Sequence, residues 1–352
     1  MTTLSYKSPD ADASKAAYSP VLHLLAMLTA AATLLLIFMG GLVTSHGAGM
    51  SVPDWPNSYG YNMFTFPPSK WIGGIFYEHT HRLMGTVVGL LSIAMVVVAF
   101  RVEPRRWVRW LSVAVLLAVI VQGVLGGLRV VLVELDLAII HGCIAQACLC
   151  LMALMSVVTS RWWLTTSPVG GENRRLVYLA VGCGVMIYAQ LIVGAMMRHY
   201  GAGLAIPDLP LNYGQVLPPM DAQSLADANA HRVSENLPAV TFFQVWLHFG
   251  HRMGAVLVTI LLSWLIARLL RHESSPALRR PAMLLIGLLI TQLTLGVLTV
   301  LWRKPADVAS LHVLVGALTL MTTFVLIVRS VHLYPIRRPE LADGPQEMLV
   351  PA

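Results

Sequence analysis

Eight apolar stretches, each about 20 residues or longer, recur along this chain of 352 residues. A helix of that length and composition can span the hydrocarbon core of a bilayer. Charged residues make up only 12% of the chain, whereas soluble domains contain about a quarter. We therefore predict an all-α integral membrane protein of eight transmembrane helices, at 21–43, 76–100, 110–131, 137–159, 176–197, 241–267, 282–302 and 309–329.

The basic residues give the chain a net charge of +7, and they cluster at the ends of the apolar stretches. This placement indicates membrane topology rather than nucleic-acid binding. With a cytoplasmic N-terminus, 16 of the 24 lysines and arginines fall in cytoplasmic segments and 6 fall outside, while Arg82 and Arg252 lie within spans. The bias predicts that both termini are cytoplasmic and that the long loops at about 44–75 and 198–240 lie outside.

The two long loops repeat each other, and the repeat continues into the helices. Gly47-Ala48-Gly49 matches Gly201-Ala202-Gly203 at an offset of 154 residues, which becomes 170 and then 171 beyond the loops. The second loop therefore carries about 16 extra residues within 215–240. Each copy holds an even number of spans, which predicts two pseudo-symmetric four-helix bundles in the same orientation, a parallel internal repeat. The predicted parts are a cytoplasmic tail at 1–20, a first half at 21–160, a cytoplasmic linker at 161–175, a second half at 176–330 and a cytoplasmic tail at 331–352.

Each half carries two histidines near the outside ends of its second and fourth spans. They are His81 and His141 in the first half, and His251 and His312 in the second. A neutral imidazole is a good iron ligand, and two on facing helices of a bundle can hold a haem between them. A single such histidine is more commonly a hydrogen-bonding residue between helices. Four at matched positions and one depth predict two bis-histidine haem sites, because zinc would need further ligands and the four cysteines form no C-x-x-C motif.

Glu78 precedes His81 by one helical turn, and the matched position in the second half is His248. A carboxylate placed there can hold or deprotonate a water molecule or accept a proton, so we predict that Glu78 is catalytic. The alternative is that Glu78 only pairs with Arg82. Arg82 and Arg252 directly follow the predicted ligands and are expected to contact haem propionates, with snorkelling towards lipid headgroups as the simpler alternative.

The E-x-x-H-R at 78–82, the H-R at 251–252, the two later histidines and the G-A-G-M-S-V-P-D-W-P-N-S-Y-G at 47–60 resemble the haem A synthase family. The resemblance covers about residues 21–330. It implies an oxidoreductase of the bacterial inner membrane that converts the C8 methyl group of haem O into the formyl group of haem A. It also implies that the first half binds the substrate haem and that the second half holds haem b as an electron-transfer cofactor.

The same resemblance implies a set of partners and contains one departure. The partners are haem O, membrane lipid, a quinone as electron acceptor, haem O synthase and oxidase assembly proteins, with no nucleic acid. Many bacterial members of that family carry a cysteine pair in the first outside loop. This chain has Val52 and Ser58 there, and Ile206 and Asn212 at the matched places, which excludes a mechanism based on redox chemistry of loop cysteines.

Two other functions fit the paired histidines. A di-haem electron-transfer protein would move electrons between a quinone and an external acceptor, and a haem carrier would deliver the cofactor unchanged. Electron transfer needs ligands but neither an acid nor a base. The presence of a carboxylate in one half only, at Glu78, therefore favours the enzyme.

We expect reporter fusions to place both ends of the chain in the cytoplasm, because the lysines and arginines favour that orientation. The measurement is the activity of a fused reporter enzyme that works on only one side of the membrane. A fusion inserted within 44–75 is the opposite-side control. An external C-terminus would contradict the topology and, with it, the placement of the four histidines near the outside surface.

Overall fold

The structure, a computed structural model, describes residues 17–169 and 173–335. Within these residues, eight helices are long and apolar enough to cross a membrane, which confirms the predicted all-α membrane class. The predicted tails at 1–20 and 331–352 fall mostly outside the described residues, as do 170–172 of the predicted linker. The helices are α1 Pro20–Ser45, α2 Gly74–Val102, α3 Arg106–Leu132, α4 Leu135–Val158, the short α5 Arg161–Thr165, α6 Arg174–His199, α7 Ala222–Ser234, α8 Phe242–His272, α9 Pro276–Leu301 and α10 Ala306–Leu333.

Two helices extend well beyond their predicted spans, at the end of the molecule opposite the long loops. Helix α8 continues five residues past the predicted 267, and α9 begins six residues before the predicted 282. The added turns contain arginines, and a span predicted from its apolar length ends before such charged residues. Pro276 occupies the first turn of α9, where its missing N–H leaves no helical hydrogen bond unmade.

The eight long helices contact one another in two closed sets. Helices α1 and α3 each contact α2 and α4, and helices α6 and α9 each contact α8 and α10. The two sets meet where α10 packs on α1 and α4, and where α4 packs on α6. Each set surrounds its own cluster of buried apolar side chains, which includes Met95 and Met152 in the first and Leu262 and Leu285 in the second. In this arrangement α2 lies diagonally across from α4, and α8 from α10.

Both long loops lie at one end of the helices, called here the loop end, and they share a turn centred on an aspartate. The carboxylate of Asp54 accepts hydrogen bonds from the amides of Tyr59 and Gly60, at 2.7 and 2.8 Å. Burial opposes the ionisation of Asp54, but these two bonds together with the nearby charge of Arg82 hold the pKa of the carboxyl below its usual value. The second loop repeats the turn, with Asp208 accepting from the amides of Tyr213 and Gly214 at 2.8 and 2.9 Å.

The extra residues of the second loop contain α7, a helix that the sequence analysis did not predict. Asp221 begins it with a capping box to Ser224, a recognisable start signal. Near its end, Arg232 is only 2% exposed and donates hydrogen bonds to three loop carbonyls. Those carbonyls belong to Leu204, Ala205 and Pro238, so Arg232 ties α7 to the turn that follows α6.

Replacing Arg232 by alanine should loosen the second loop, because three loop carbonyls lose a charged donor. We expect a local destabilisation of about 3 kcal/mol. The measurement is the rate at which a protease cleaves within 201–241 in the folded protein. Arg303→Ala is the control, since Arg303 is exposed and contacts Glu235 through a 3.5 Å ion pair and a 3.3 Å hydrogen bond to its carbonyl oxygen. Equal cleavage rates for the two variants would contradict this role of Arg232.

Candidate functional site

The four predicted ligand histidines lie within about three helical turns of the loop end, on helices that face each other diagonally. His81 on α2 faces α4, which carries His141, and His251 on α8 faces α10, which carries His312. The rings of His251 and His312 are 6.4 Å apart between centroids and inclined at 66°. The structure therefore brings together the pair of histidines predicted for the second half.

Each of these imidazoles rests against a glycine of a neighbouring helix. A Cβ atom added to that glycine would meet the Cε1 atom of the ring at a distance tighter than nearly all real Cβ contacts. Only glycine therefore lets the ring approach the helix backbone this closely. The four contacts, with the distance from the added Cβ, are His81 on Gly40 at 3.0 Å, His141 on Gly126 at 3.3 Å, His251 on Gly194 at 3.1 Å and His312 on Gly296 at 3.2 Å.

The polar atoms of these rings suit metal ligation. The Nδ1 atoms of His81, His141 and His312 are buried without a hydrogen-bond partner, an uncommon state for buried nitrogen. Within 17–169 and 173–335, no group of three or more His, Cys, Asp or Glu side chains is arranged to hold a bare metal ion. A haem supplies four nitrogens of its own and needs only two axial ligands. The donor set at each site fits a haem for this reason.

Glu78 and His248, at matched positions, each accept a hydrogen bond from an amide of the adjacent loop. The carboxylate of Glu78 accepts a hydrogen bond from the amide of Val52 at 2.9 Å, and the Nδ1 atom of His248 accepts one from the amide of Ile206 at 3.2 Å. Glu78 has one further bond, a 2.8 Å ion pair with Arg82, and is only 3% exposed. Both carboxylate oxygens of the predicted catalytic residue thus have a partner.

The structure uses Arg82 and Arg252 to hold the loops on the ligand helices. Arg82 donates to the carbonyl oxygens of Val52, Asp54 and Asn57, at 2.7, 2.7 and 3.0 Å. The contacts of Arg82 that the structure shows are with loop carbonyls and Glu78, and the contact of Arg82 and Arg252 with haem propionates stays a prediction. The equivalent bonds of Arg252 reach Ile206, Asp208 and Leu211 at 3.0, 2.7 and 3.1 Å.

Comparison with known proteins places these features in a family. Residues 73–325 match the model of the cytochrome oxidase assembly protein family. The chain belongs to this family. The heme A synthase of Symbiobacterium thermophilum is 28% identical over 79% of this chain and 85% of its own length. The heme A synthases of Shewanella oneidensis and Alkalihalophilus pseudofirmus are 26% and 25% identical, over 84% and 86% of this chain and 92% and 97% of their own lengths.

In this member of the cytochrome oxidase assembly protein family, apolar and polar packing replaces any loop disulfide. Val52 and Ser58, which occupy the places discussed above, are both fully buried. The hydroxyl of Ser58 lies 3.2 Å from the Nδ1 atom of His79, whose ring packs against Phe66 and Trp71. The first loop is therefore attached to α2 by side-chain packing and hydrogen bonds.

One residue near the ligands was missed by the sequence analysis. The side-chain amide of Gln190, on α6, lies 3.1 Å from the Nδ1 atom of His251 and donates to its carbonyl oxygen at 2.8 Å. Such a contact fixes the orientation of a ligating ring. The matched residue in the first half is Leu36, which has no polar group. The sequence signal that could have identified Gln190 is a single polar amide within the apolar part of α6.

Gly194→Ala should weaken haem binding at the second pair about tenfold, because the new methyl group would push His251 away from α6 at a cost of about 1–2 kcal/mol. The measurement is the haem content of the purified protein, from its absorption spectrum, across a haem titration. Gly182→Ala is the matched control on the same helix, since nothing lies within 4 Å of an added Cβ there. Identical titrations for the two variants would show that the glycine contact does not position the ligand.

Proposed function

We propose that this chain is a haem A synthase, which oxidises the C8 methyl group of haem O to the formyl group of haem A. The observation that carries the proposal is the doubled histidine pair, with each imidazole held against a glycine at the loop end. Membership of the cytochrome oxidase assembly protein family supports it, and so does the alignment with heme A synthases over most of the chain. These relatives favour the enzyme over a di-haem electron-transfer protein or a haem carrier.

The two halves are proposed to divide the work. His81 and His141 would bind haem O as the substrate, and His251 and His312 would bind haem b as the resident cofactor. When bound, haem b supplies one-electron redox chemistry. Two differences support this division: Glu78 occurs only in the first half, and Gln190 contacts a ligand only in the second. A rigidly oriented ligand suits a cofactor that stays in place.

Glu78 is proposed to accept a proton during oxidation of the methyl group. Converting a methyl group into a formyl group takes up the oxygen atom of a water molecule and releases four protons and four electrons, so the reaction needs a base as well as an electron acceptor. Glu78 lies one turn from His81, and its bonds to Arg82 and to the amide of Val52 fix where the carboxylate points. The carboxylate is buried and so is shielded from competing water.

The proposal also includes an electron acceptor, partner proteins and a location in the membrane. A quinone would accept the electrons in the membrane, and haem O synthase and oxidase assembly proteins would act before and after this step. The distribution of lysines and arginines supports a place in the bacterial inner membrane with both termini in the cytoplasm. The parts 21–160 and 176–330 would then act as the substrate half and the cofactor half.

The direct test is to express the chain in cells that make haem O but no haem A, and to separate the extracted haems by chromatography. Haem A should appear with the wild-type chain and disappear with His141→Ala. Haem O alone, at a normal protein level, would contradict the proposal and favour electron transfer.

Glu78→His is the variant that separates catalysis from loop attachment. In the second half, His248 already accepts a hydrogen bond from the matched amide of Ile206. The change should therefore keep the hydrogen bond from the amide of Val52 while removing the carboxylate. We expect haem A formation to fall about a hundredfold or more, the usual scale of general base catalysis, with haem O binding retained. Glu78→Gln should behave in the same way. Wild-type rates in Glu78→His would leave Glu78 with a structural role only.

A further inference from the structure

Arg129 is a cation at the loop end that has no role in the function proposed above. It lies in the last turn of α3, half-buried, with its guanidinium lying on the backbone of Gly49. A Cβ atom added to Gly49 would be only 2.0 Å from the Nη2 atom of Arg129. Within 17–169 and 173–335, Arg129 forms neither a hydrogen bond nor an ion pair.

The position of Arg129 places it in front of the first histidine pair. It follows Gly126 by three residues and so shares its helix face, one turn nearer the loop end. Gly126 is the glycine on which His141 rests. Arg129 is also close enough to interact electrostatically with His81, His141 and Glu78. The guanidinium therefore lies between the first loop and the proposed substrate site.

Among the described residues, the carboxylates near Arg129 form their hydrogen bonds with other groups. Glu78 gives one oxygen to Arg82 and the other to the amide of Val52. Asp54 is held by the amides of Tyr59 and Gly60. Arg82 itself is fully engaged with loop carbonyls and Glu78. A charged group in a membrane protein that lacks a partner in its own chain marks a functional site by default.

We propose that Arg129, packed against the backbone of Gly49, binds a propionate carboxylate of the porphyrin substrate in the first half. The planar guanidinium presents paired N–H donors that match the two oxygens of a carboxylate. Gly49 is required at this point because any side chain there would displace the guanidinium. This inference rests on the proposed function. It adds Arg129 to Arg82 and Arg252, the residues that the sequence predicts to contact propionates.

The propionate in this contact is the one on the pyrrole ring that carries the C8 methyl group, because the other propionate shares its ring with a different methyl group. In haem O the C8 methyl group is on the same pyrrole ring as one of the two propionates. A carboxylate held by Arg129 therefore fixes that methyl group at the loop-end edge of the porphyrin. Glu78 lies at the same end, one turn beyond His81. Arg129 is therefore a positioning residue for the C8 methyl group, during whose oxidation Glu78 is proposed to accept a proton.

The matched positions of the second half are arranged differently. The residue matched to Arg129 is Thr299, whose hydroxyl donates to the carbonyl oxygen of Leu295 in its own helix. The glycine matched to Gly49 is Gly203, which faces the aliphatic Cδ atom of Lys304 at 3.3 Å from an added Cβ. A haem that only transfers electrons does not need one particular methyl group to be presented, so this difference agrees with the proposed division of work.

The test is a comparison of two ligands on the full-length protein in lipid nanodiscs. Haem O and its dimethyl ester, which lacks both carboxylate charges, are titrated while the absorption spectrum is recorded. The wild-type protein should bind haem O at least about tenfold more tightly than the ester, the scale of a charge-assisted hydrogen bond. In Arg129→Gln the ratio should fall to near one. Arg129→Lys should keep part of the preference, and Gly49→Ala should lose it.

The control is Arg303→Gln, which removes an exposed arginine of the same end that pairs with Glu235. It should keep the wild-type ratio. A full preference for haem O in both Arg129→Gln and Gly49→Ala would overturn the inference while leaving the proposed function intact. Failure of the wild-type protein to bind haem O at all would overturn both. Should Arg129→Gln fail to fold, the Gly49→Ala result decides between these conclusions.

Discussion

The hydrogen bonds of Arg82 and Arg252 to loop carbonyls are the interaction on which the loop end depends. Each arginine follows a predicted ligand histidine directly, so the same helical turn carries the ligand and the residue that holds the loop. A guanidinium supplies several donors in a fixed plane, and several carbonyls of an irregular loop can share it. These bonds satisfy backbone groups that would otherwise lie unpaired beside the membrane. The geometry of each ligand is in this way coupled to the loop above it.

The two halves share this scaffold and differ where chemistry is expected. The amide of Val52 donates a hydrogen bond to the carboxylate of Glu78 in the first half. The matched amide of Ile206 donates to the imidazole of His248 in the second. In the half proposed to keep its haem, the amide nitrogen of Gln190 lies 3.1 Å from the Nδ1 atom of His251, and that of Gln292 lies 3.4 Å from the Nε2 atom of His312. A repeat can change function by such replacements, because the backbone that positions them stays the same. The local contact made at each position is retained while the charge changes.

The sequence predicted the class of fold well because apolar length alone determines a membrane span. All eight spans were confirmed as helices, and the errors at α8 and α9 arose where charged turns extend the helix. Helix α7 was missed because its pattern is short and mostly polar, although Asp221 and Ser224 formed a readable cap.

The site was predicted less completely than the fold. The matched histidines could be found from the repeat offset, but the glycines beneath them could not be assigned to individual rings. Nor could the sequence show which carbonyls Arg82 would meet, because these lie 25–30 residues away along an irregular loop. Long-range contacts of this kind depend on how the loop folds, which no periodic pattern records.

The central claim is that the repeated histidines bind two haems, one in each half. The most direct measurement is the haem-to-protein ratio of the purified chain supplied with haem O, combined with paramagnetic resonance of the ferric state. The account predicts two haems per chain, both low-spin with two histidine ligands, and loss of one of them in His312→Ala. A ratio that stays at one or below in the presence of haem O, or high-spin iron that does not change on addition of haem O, would contradict it.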